Sequence, residues 1–352
     1  MKNSGLRYQW LKGRLEEDIL NDYKPSDKFL SQREIMAKYK ASFSTVDRAL
    51  RELVEDGILK RYHGKGTFVC EQKPGAGSGG KKLALIMSRN VSFAPTHFYA
   101  EILMTITAEM GNDGYSFVFI YLDEDDPVAP LVVRLTGKED FIGAFLIGNV
   151  SERLIDTLAD QRFPFVLVDR GTDRSGIPFV KTDNVDGAEK AVTYLIRSGH
   201  RRIGFVSTQL HTSFLERYEG YCMGMAANGI KLDKQLVLTR FRLDSNGDDL
   251  DAILHMEAPP TAIFAANDAM CFYIIQILRG KGIRVPDDIS VMGFDGDTIS
   301  HTLPVMTTMA LDRKAMGLEA VAIIRDLMLH GKAESVIMTT ELQNGDTVRP
   351  IV

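Results

Sequence analysis

Apolar residues Leu6, Trp10, Leu11, Leu15, Ile19 and Leu20 return every three or four positions at the start of the chain, which predicts an amphipathic helix from about Arg7 to Asn21. Pro25 and its polar neighbours end that pattern. Ser31 followed three residues on by Glu34 has the form of a capping box and predicts a second helix, Gln32 to about Tyr39. After a short polar turn, Ser44 opens a third helix through Val46, Ala49, Leu50, Leu53 and Val54, with Gly57 beyond its end. The period then changes. Ile58–Tyr62 reads as a strand, His63–Gly66 as a basic, glycine-rich turn and Thr67–Val69 as the return strand. Two short helices and a tight turn can place the second helix in a major groove. A hairpin with a lysine and glycines at its tip can approach phosphates closely.

From Leu83 onward the pattern is different. Apolar runs at Leu83–Met87, Ser116–Tyr121, Gly143–Ile147, Phe165–Val168, Ile203–Ser207, Leu236–Thr239, Thr261–Ala265 and Ile289–Phe294 alternate with helical segments. That alternation predicts an α/β body of parallel sheets with helices on both faces. Between the two regions, Glu71–Lys82 is rich in glycine and reads as a flexible linker. Its Gly75, Gly77 and Gly80 match a dinucleotide-binding spacing. That fingerprint needs a strand before it and a helix after it, and here a strand follows. The domains expected are therefore residues 1–70, a linker 71–82, and a body 83–352.

Charge sharpens this division. The 352 residues carry a net charge of −5, yet residues 1–70 hold 14 Lys/Arg against 10 Asp/Glu, +4, and the remainder −9. A basic head on an acidic body suits a DNA-contacting module joined to something else. The three cysteines are widely spaced and form neither a disulfide framework nor a metal knuckle, so no metal and no cofactor is expected. No apolar run approaches the roughly 20 residues of a membrane helix. The polar first ten residues lack a signal-peptide core, which gives a cytoplasmic expectation.

Ser31-Gln32-Arg33-Glu34, Ser44-Thr45-Val46, Arg48-Ala49-Leu50, Leu53, Asp56-Gly57 and Gly64-Lys65-Gly66-Thr67-Phe68-Val69 together resemble the GntR-family winged-helix domain. The resemblance implies DNA contacts from Arg33, Ser44, Thr45, Arg48, His63 and Gly64, and the basic tip adds Lys65. Arg51 and Lys60 are equally well read as solvated surface. The chain departs from the family at Leu30, where proline is usual, and at Phe43 and Asp47, where many members have arginine. Arginine is the favoured reader of guanine, so the operator sequence is left open.

In parallel α/β folds ligands lie at the carboxyl ends of strands. Those ends hold Asp169-Arg170, Ser207, Asn267-Asp268 and Asp295, with Arg217 in a following helix. Acids, amides and a guanidinium in fixed directions suit a neutral sugar, and Phe93, Phe98 and Tyr99 are candidate walls for its ring. The segments around Thr182-Asp183-Asn184, Ser198-Gly199-His200, Arg217-Tyr218-Glu219-Gly220, Ala266-Asn267-Asp268 and Val285-Pro286-Asp287-Asp288 through Asp295 resemble the LacI-family effector domain, which has the type I periplasmic-binding-protein fold. That resemblance implies an effector cleft lined by Asp169, Arg170, Arg217, Asn267 and Asp295, to which the aromatics Phe93 and Tyr99 are added. It also implies two lobes, 83–183 with 313–332 and 184–312 with 333–352. Asp183 and Asn184 read as helix-capping residues, Asp287 and Asp288 as turn residues, and His200 as a turn holder. Asp268 suits a cap or the site equally.

A GntR-like head on a LacI-like body is the arrangement of the arabinose-repressor-type subgroup. It implies a homodimeric, sugar-responsive repressor released from two-fold operator DNA by a mono- or small oligosaccharide or a derivative of one. The alternatives are a non-sugar ligand, a co-repressor or an activator role. An enzyme is not expected, since the seven histidines lack ligand spacing and no P-loop or His-Glu-x-x-His pattern occurs. A transport receptor would want a signal peptide in place of the head.

Overall fold

The computed structural model describes residues 11–15, 18–19, 23–24, 26–55, 58–62, 65–70, 81–88, 98–123, 125–137, 140–208, 211–242, 247–297 and 305–351. Gly57, the wing-tip residues His63 and Gly64, the glycine run 75–80 and Phe93 lie outside them. The chain divides into two units, residues 1–81 with the turn 114–116, and the rest of 82–352.

In the first unit, helix α1 (residues 11–15 and 18–19) precedes α2 (Gln32–Tyr39) and α3 (Phe43–Glu55). The capping box at α2 forms: the Ser31 hydroxyl accepts from the Glu34 N–H, and the Glu34 carboxylate accepts from the Ser31 N–H. Helix α3 begins one residue before Ser44, because the Ser42 hydroxyl accepts from the Thr45 N–H. Its inner positions Val46, Ala49, Leu50 and Leu53 are buried with Leu11, Leu15, Ile19, Ile35, Leu59 and Val69. Each fully buried aliphatic side chain contributes roughly 1.5–3 kcal/mol, so this small core suffices to hold three helices. Strands β1 (Leu59–Tyr62) and β2 (Gly66–Val69) form an antiparallel hairpin. Lys28 adds a bridge to Phe68 on its other edge.

The second unit holds two six-stranded sheets. The first contains β3 (Lys82–Ser88), β4 (Ser116–Leu122), β5 (Phe141–Ile147), β6 (Phe165–Val168), β7 (Phe179–Thr182) and β13 (Val336–Met338), in the order β13-β7-β6-β5-β3-β4. The second contains β8 (Ile203–Val206), β9 (Val237–Leu238), β10 (Ala262–Ala265), β11 (Ser290–Asp295), β12 (Thr307–Ala310) and β14 (Glu341–Gln343), in the order β14-β12-β11-β10-β8-β9. Its neighbours pair in parallel except β14, which is antiparallel to β12. Strands buried along their whole length, such as β6, β8 and β10, explain the unbroken apolar runs. Helices α4 (Phe98–Asn112) and α11 (Arg313–His330) pack together on the first lobe, and α7 (Asn184–Arg197) and α8 (Thr212–Ala227) on the second.

One expected lobe boundary is corrected. Residues 333–352 do not all join the second lobe, because β13 pairs in parallel with β7, Val336 opposite Val180 and Met338 opposite Thr182. A strand that follows α11 on the same face completes a crossover within that sheet. The chain therefore passes between lobes after β7, after β12, and again between Met338 and Glu341.

The α7–α8 contact depends on two glycines one turn apart. A Cβ on Gly220 would sit 2.2 Å from the Val185 carbonyl oxygen, and one on Gly224 would sit 2.9 Å from the Val192 Cβ. Gly220→Ala is expected to destabilise the body by about 3 kcal/mol, the cost of overpacking against backbone that cannot move aside. Equilibrium urea unfolding of the full chain reads this directly.

Candidate functional site

Two sites are built on these frames. On the head, Arg33 is exposed in the first turn of α2 and, among the described residues, has no ion-pair partner. Ser44 and Arg48 are exposed on α3, and Thr45 is half-buried. The hydroxyls of Ser44 and Thr45 lie 3.1 and 2.8 Å from that of Ser42. Arg48 pairs with Glu52 one turn on, at 3.3 Å. Lys65 stands exposed in the hairpin turn, its N–H donating to the Tyr62 carbonyl.

In the body, the end of β6 carries Asp169 and the end of β11 carries Asp295. Both adopt positive φ, 60° and 117°. Side chains other than glycine seldom hold such angles, so the surrounding structure maintains them. Tyr99, in the first turn of α4, donates its hydroxyl to Asp169 Oδ2 at 2.7 Å. Arg217 on α8 is buried and each of its three nitrogens has a partner. Its Nε donates to Asn184 Oδ1 at 2.8 Å and its Nη1 to the Ala266 carbonyl at 2.6 Å, while its Nη2 lies 2.9 Å from Asp295 Oδ1. The guanidinium also stacks on Phe294, 3.9 Å from the ring centroid. Asn184 in turn donates to Glu216, whose other oxygen takes Lys181 at 2.5 Å. Lys181 belongs to the first lobe and Glu216 to the second, so this pair spans the crossing.

Electrostatics join the two halves. Burial pushes the Asp169 carboxyl up to about 6, against the lowering effects of the Tyr99 hydroxyl and the Arg217 charge. Burial pushes Asp295 up to about 7. Arg217 opposes that rise and the charge of Asp169 adds to it. Tyr99 is held far above its ordinary range by burial and by Asp169. A carboxyl whose pKa is higher in the folded state keeps its proton after the unfolded chain has lost it. Its contribution to stability is full below about pH 4 and is lost as pH rises through the folded value. Buried His200 and half-buried His211, whose pKa values are lowered by desolvation, act in the opposite sense. A comparison with Asp295→Asn isolates the aspartate. The stability advantage of the wild type over that variant should be largest at and below about pH 4, shrink as pH rises to about 7, and level off above. Melting temperatures across this range test it.

Tyr99, Asp169, Arg217 and Asp295 thus come together, while two expected effector contacts are placed otherwise. Arg170 is buried, with one Nη on the Val150 carbonyl and the other on the Glu152 carboxylate, so it ties the end of β6 to the start of α6 (Glu152–Asp160). Asn267 caps α10 (Asp268–Gly280), its side chain accepting from the Met270 N–H at 2.9 Å. Asp268, which suited a cap or the site equally, is not the cap: it opens the helix behind Asn267 and accepts from the Asp297 N–H. Asp183 caps α7 as expected of it, but Asn184 does not: it holds Arg217. His200 ties a turn, its ring nitrogens 3.0 Å from the Thr261 hydroxyl and 3.2 Å from the Arg349 carbonyl. Phe98 is buried and packs edge-on against Tyr99. The aromatic surface at Arg217 comes from Phe294 and from Phe214, on which the His211 ring stacks at 4.3 Å. Among the described residues no group of acids, cysteines and histidines could hold a metal, and no helix is long and apolar enough to cross a membrane.

Two α/β lobes whose facing strand ends bring Tyr99, Asp169, Arg217 and Asp295 together, joined to a winged-helix head, define the class of ligand-responsive DNA-binding proteins. Residues 7–69 match bacterial regulatory proteins of the gntR family, and residues 192–348 match the periplasmic binding protein-like domain. The protein is a transcription regulator with a gntR-type head and a periplasmic-binding-protein-like body. It is 24% identical over 336 residues to the arabinose metabolism transcriptional repressor of Geobacillus stearothermophilus, covering 88% of this chain and 89% of that one. It is 29% identical over 267 residues to the transcriptional regulator CelR of Thermobifida fusca, covering 74% and 78%. Among solved structures, the complex of the regulator CelR with cellobiose matches with a TM-score of 0.69 at 25% identity, covering 88% of this chain and 92% of that chain.

Proposed function

We propose that this protein is a sugar-responsive transcriptional repressor whose effector is a neutral, unphosphorylated carbohydrate bound among Tyr99, Asp169, Arg217 and Asp295. The observation that carries the reading is the polar inventory of that crevice: two buried carboxyls, one from each lobe, against one guanidinium. Carboxylates accept from sugar hydroxyls in fixed directions and repel phosphate, while Arg217 donates to ring or hydroxyl oxygens. Half-buried Phe214, beside Arg217, supplies apolar surface for the ring, while Phe294 is buried beneath the Arg217 guanidinium. The relatives support the ligand class, since one is named for arabinose metabolism and another was solved with cellobiose. The repressor acts in the cytoplasm as a homodimer on two-fold operator DNA, and catalyses no reaction.

Sugar binding stabilises one lobe arrangement only by its differential affinity for the two, commonly about 1–3 kcal/mol. That arrangement releases the operator. The test is occupancy of a labelled operator, selected from random sequence by the protein itself, against a panel of neutral pentoses, hexoses and disaccharides, with sugar phosphates and nucleosides as separate arms. Release by a neutral sugar alone is expected. Release by a phosphate ester or a nucleoside alone would replace the ligand class, and no response to any arm would remove the sensor reading.

A further inference from the structure

Helix α3 presents Phe43, Asp47 and Arg51 at four-residue spacing, which places them along one face. Phe43 is 59% exposed and opens the helix. Asp47, in the middle, is the hub of three contacts from three elements. Gln32 at the start of α2 donates to its Oδ1 at 2.9 Å. Arg51 brings Nη2 to 2.9 Å from its Oδ2. Arg61, on the hairpin strand β1, brings Nη2 to 3.8 Å from its Oδ1. The Gln32 bond fixes the Asp47 rotamer, so the two guanidinium groups converge on a carboxylate that is already in place. Both arginines remain accessible, with side chains 64% and 42% exposed. Arg48, the other cation of α3, is likewise paired with a carboxylate on its own helix. Arg33 and Lys65 are not paired among the described residues.

We propose that Asp47 is a specificity-determining residue of the head: it holds Arg51 and Arg61 away from the phosphates of arbitrary DNA. Binding to DNA of any sequence is supplied almost wholly by phosphates neutralised by Lys and Arg, each releasing condensed counterions. An arginine that already has an intramolecular carboxylate gains little from a phosphate, because it exchanges one anion for another. Two such arginines at the centre of the recognition surface therefore add little to sequence-independent binding. At a matching site, groove contacts from α3 and Arg33 supply the additional attraction. Asp47 acts through its neighbours and is a positioning residue.

The inference rests on the head being DNA-binding, and the experiment separates the two. Binding of full-length protein to a random-sequence duplex and to its selected operator is measured from about 50 to about 200 mM salt. Asp47→Asn keeps an oxygen acceptor for Gln32 and removes the charge. It should raise affinity for the random duplex about tenfold at low salt and steepen its salt dependence by about 1.8 in log–log slope, two further phosphates at roughly 0.9 each. Operator affinity should rise less, so the ratio of operator to random binding falls. The double variant Arg51→Gln with Arg61→Gln should leave random binding of the otherwise wild-type protein almost unchanged and should cancel the gain in the Asp47→Asn background. The proposal is overturned if Asp47→Asn binds random DNA with wild-type affinity and slope. It is overturned equally if the two arginine changes weaken random binding while Asp47 is intact. That second measurement decides the matter even if Asp47→Asn does not fold. Failure of the wild type to bind any duplex at low salt would instead remove the DNA-binding reading itself.

Discussion

Arg217→Met is expected to lower effector affinity at least 100-fold and to leave the head's affinity for operator unchanged but unresponsive. Methionine matches the length and apolar character of the arginine stem and keeps contact with Phe294. What it removes is the one group among the described residues that reaches Asn184, the Ala266 carbonyl and Asp295 together. A crevice designed around hydroxyl contacts loses about 1.4 kcal/mol per tenfold of affinity, so 100-fold corresponds to roughly 3 kcal/mol, within the range for a charge-assisted hydrogen bond in a dry site. The fold loses stability too, because the Asn184 oxygen and the Ala266 carbonyl are left without their donor. Each such group costs about 1–3 kcal/mol. Asp295 limits the damage by keeping its proton more firmly once the guanidinium that lowers its pKa is gone. Arg217→Lys keeps a charge but not the planar fork, and should fall between the two. Calorimetric titration with the sugar found in the panel, beside operator binding of the same samples, would show whether the two activities separate. Parallel loss of both would place Arg217 in the scaffold alone.

Arg33→Ala should reduce operator affinity by about 10- to 100-fold and flatten base preference at one position of each half-site, with sugar binding intact. A bidentate arginine–guanine pair discriminates by about 1–3 kcal/mol, and a homodimer uses it twice. Arg33 is suited to that task because, unlike Arg48 and Arg51, it need not first leave a carboxylate. Selection of binding sites from random duplex by wild type and variant is the measurement. Identical consensus sequences would assign Arg33 to the phosphate backbone.

The head was readable from local rules. The Ser31–Glu34 spacing carries a capping box without help from tertiary structure, and the helical period of Val46, Ala49, Leu50 and Leu53 is the buried face of α3. Long buried strands of the body were readable for the same reason. Strands β7, β12 and β14 were not, since three or four residues that include threonine, lysine, glutamate or glutamine have no apolar run to announce them, and β13 is apolar but only three residues long. Their hydrogen bonds come from distant neighbours, and β13 moved a lobe boundary for that reason. At the crevice, acids at strand ends are visible in sequence, but the direction of a side chain is not. Arg170 follows Asp169 directly and turns instead to Val150 and Glu152. Asn184 looked like a cap because Asp183 beside it is one, and its hold on Arg217 spans 33 residues of chain. Phe294 and His211 carried only weak signals: an aromatic before a strand-end acid, and a histidine just ahead of a helix.

Arg313 sets a mechanical condition on all of this. Its Nη1 takes the carbonyls of Asp295 and Gly296 at 3.1 and 3.3 Å, and its Nε takes Glu101 at 3.0 Å. Glu101 stands two residues from Tyr99 in the opening turn of α4, the helix whose tyrosine steadies the other aspartate. A rotation of one half of the body about the three connecting segments therefore cannot leave both acids undisturbed. Either the bonds from Arg313 to the Asp295 and Gly296 carbonyls give way, or the strand end that carries Asp295 is dragged along with the half that holds Arg313, Glu101 and Tyr99. Occupancy of the crevice and the angle between the halves are in this way geared to each other through a single helical turn.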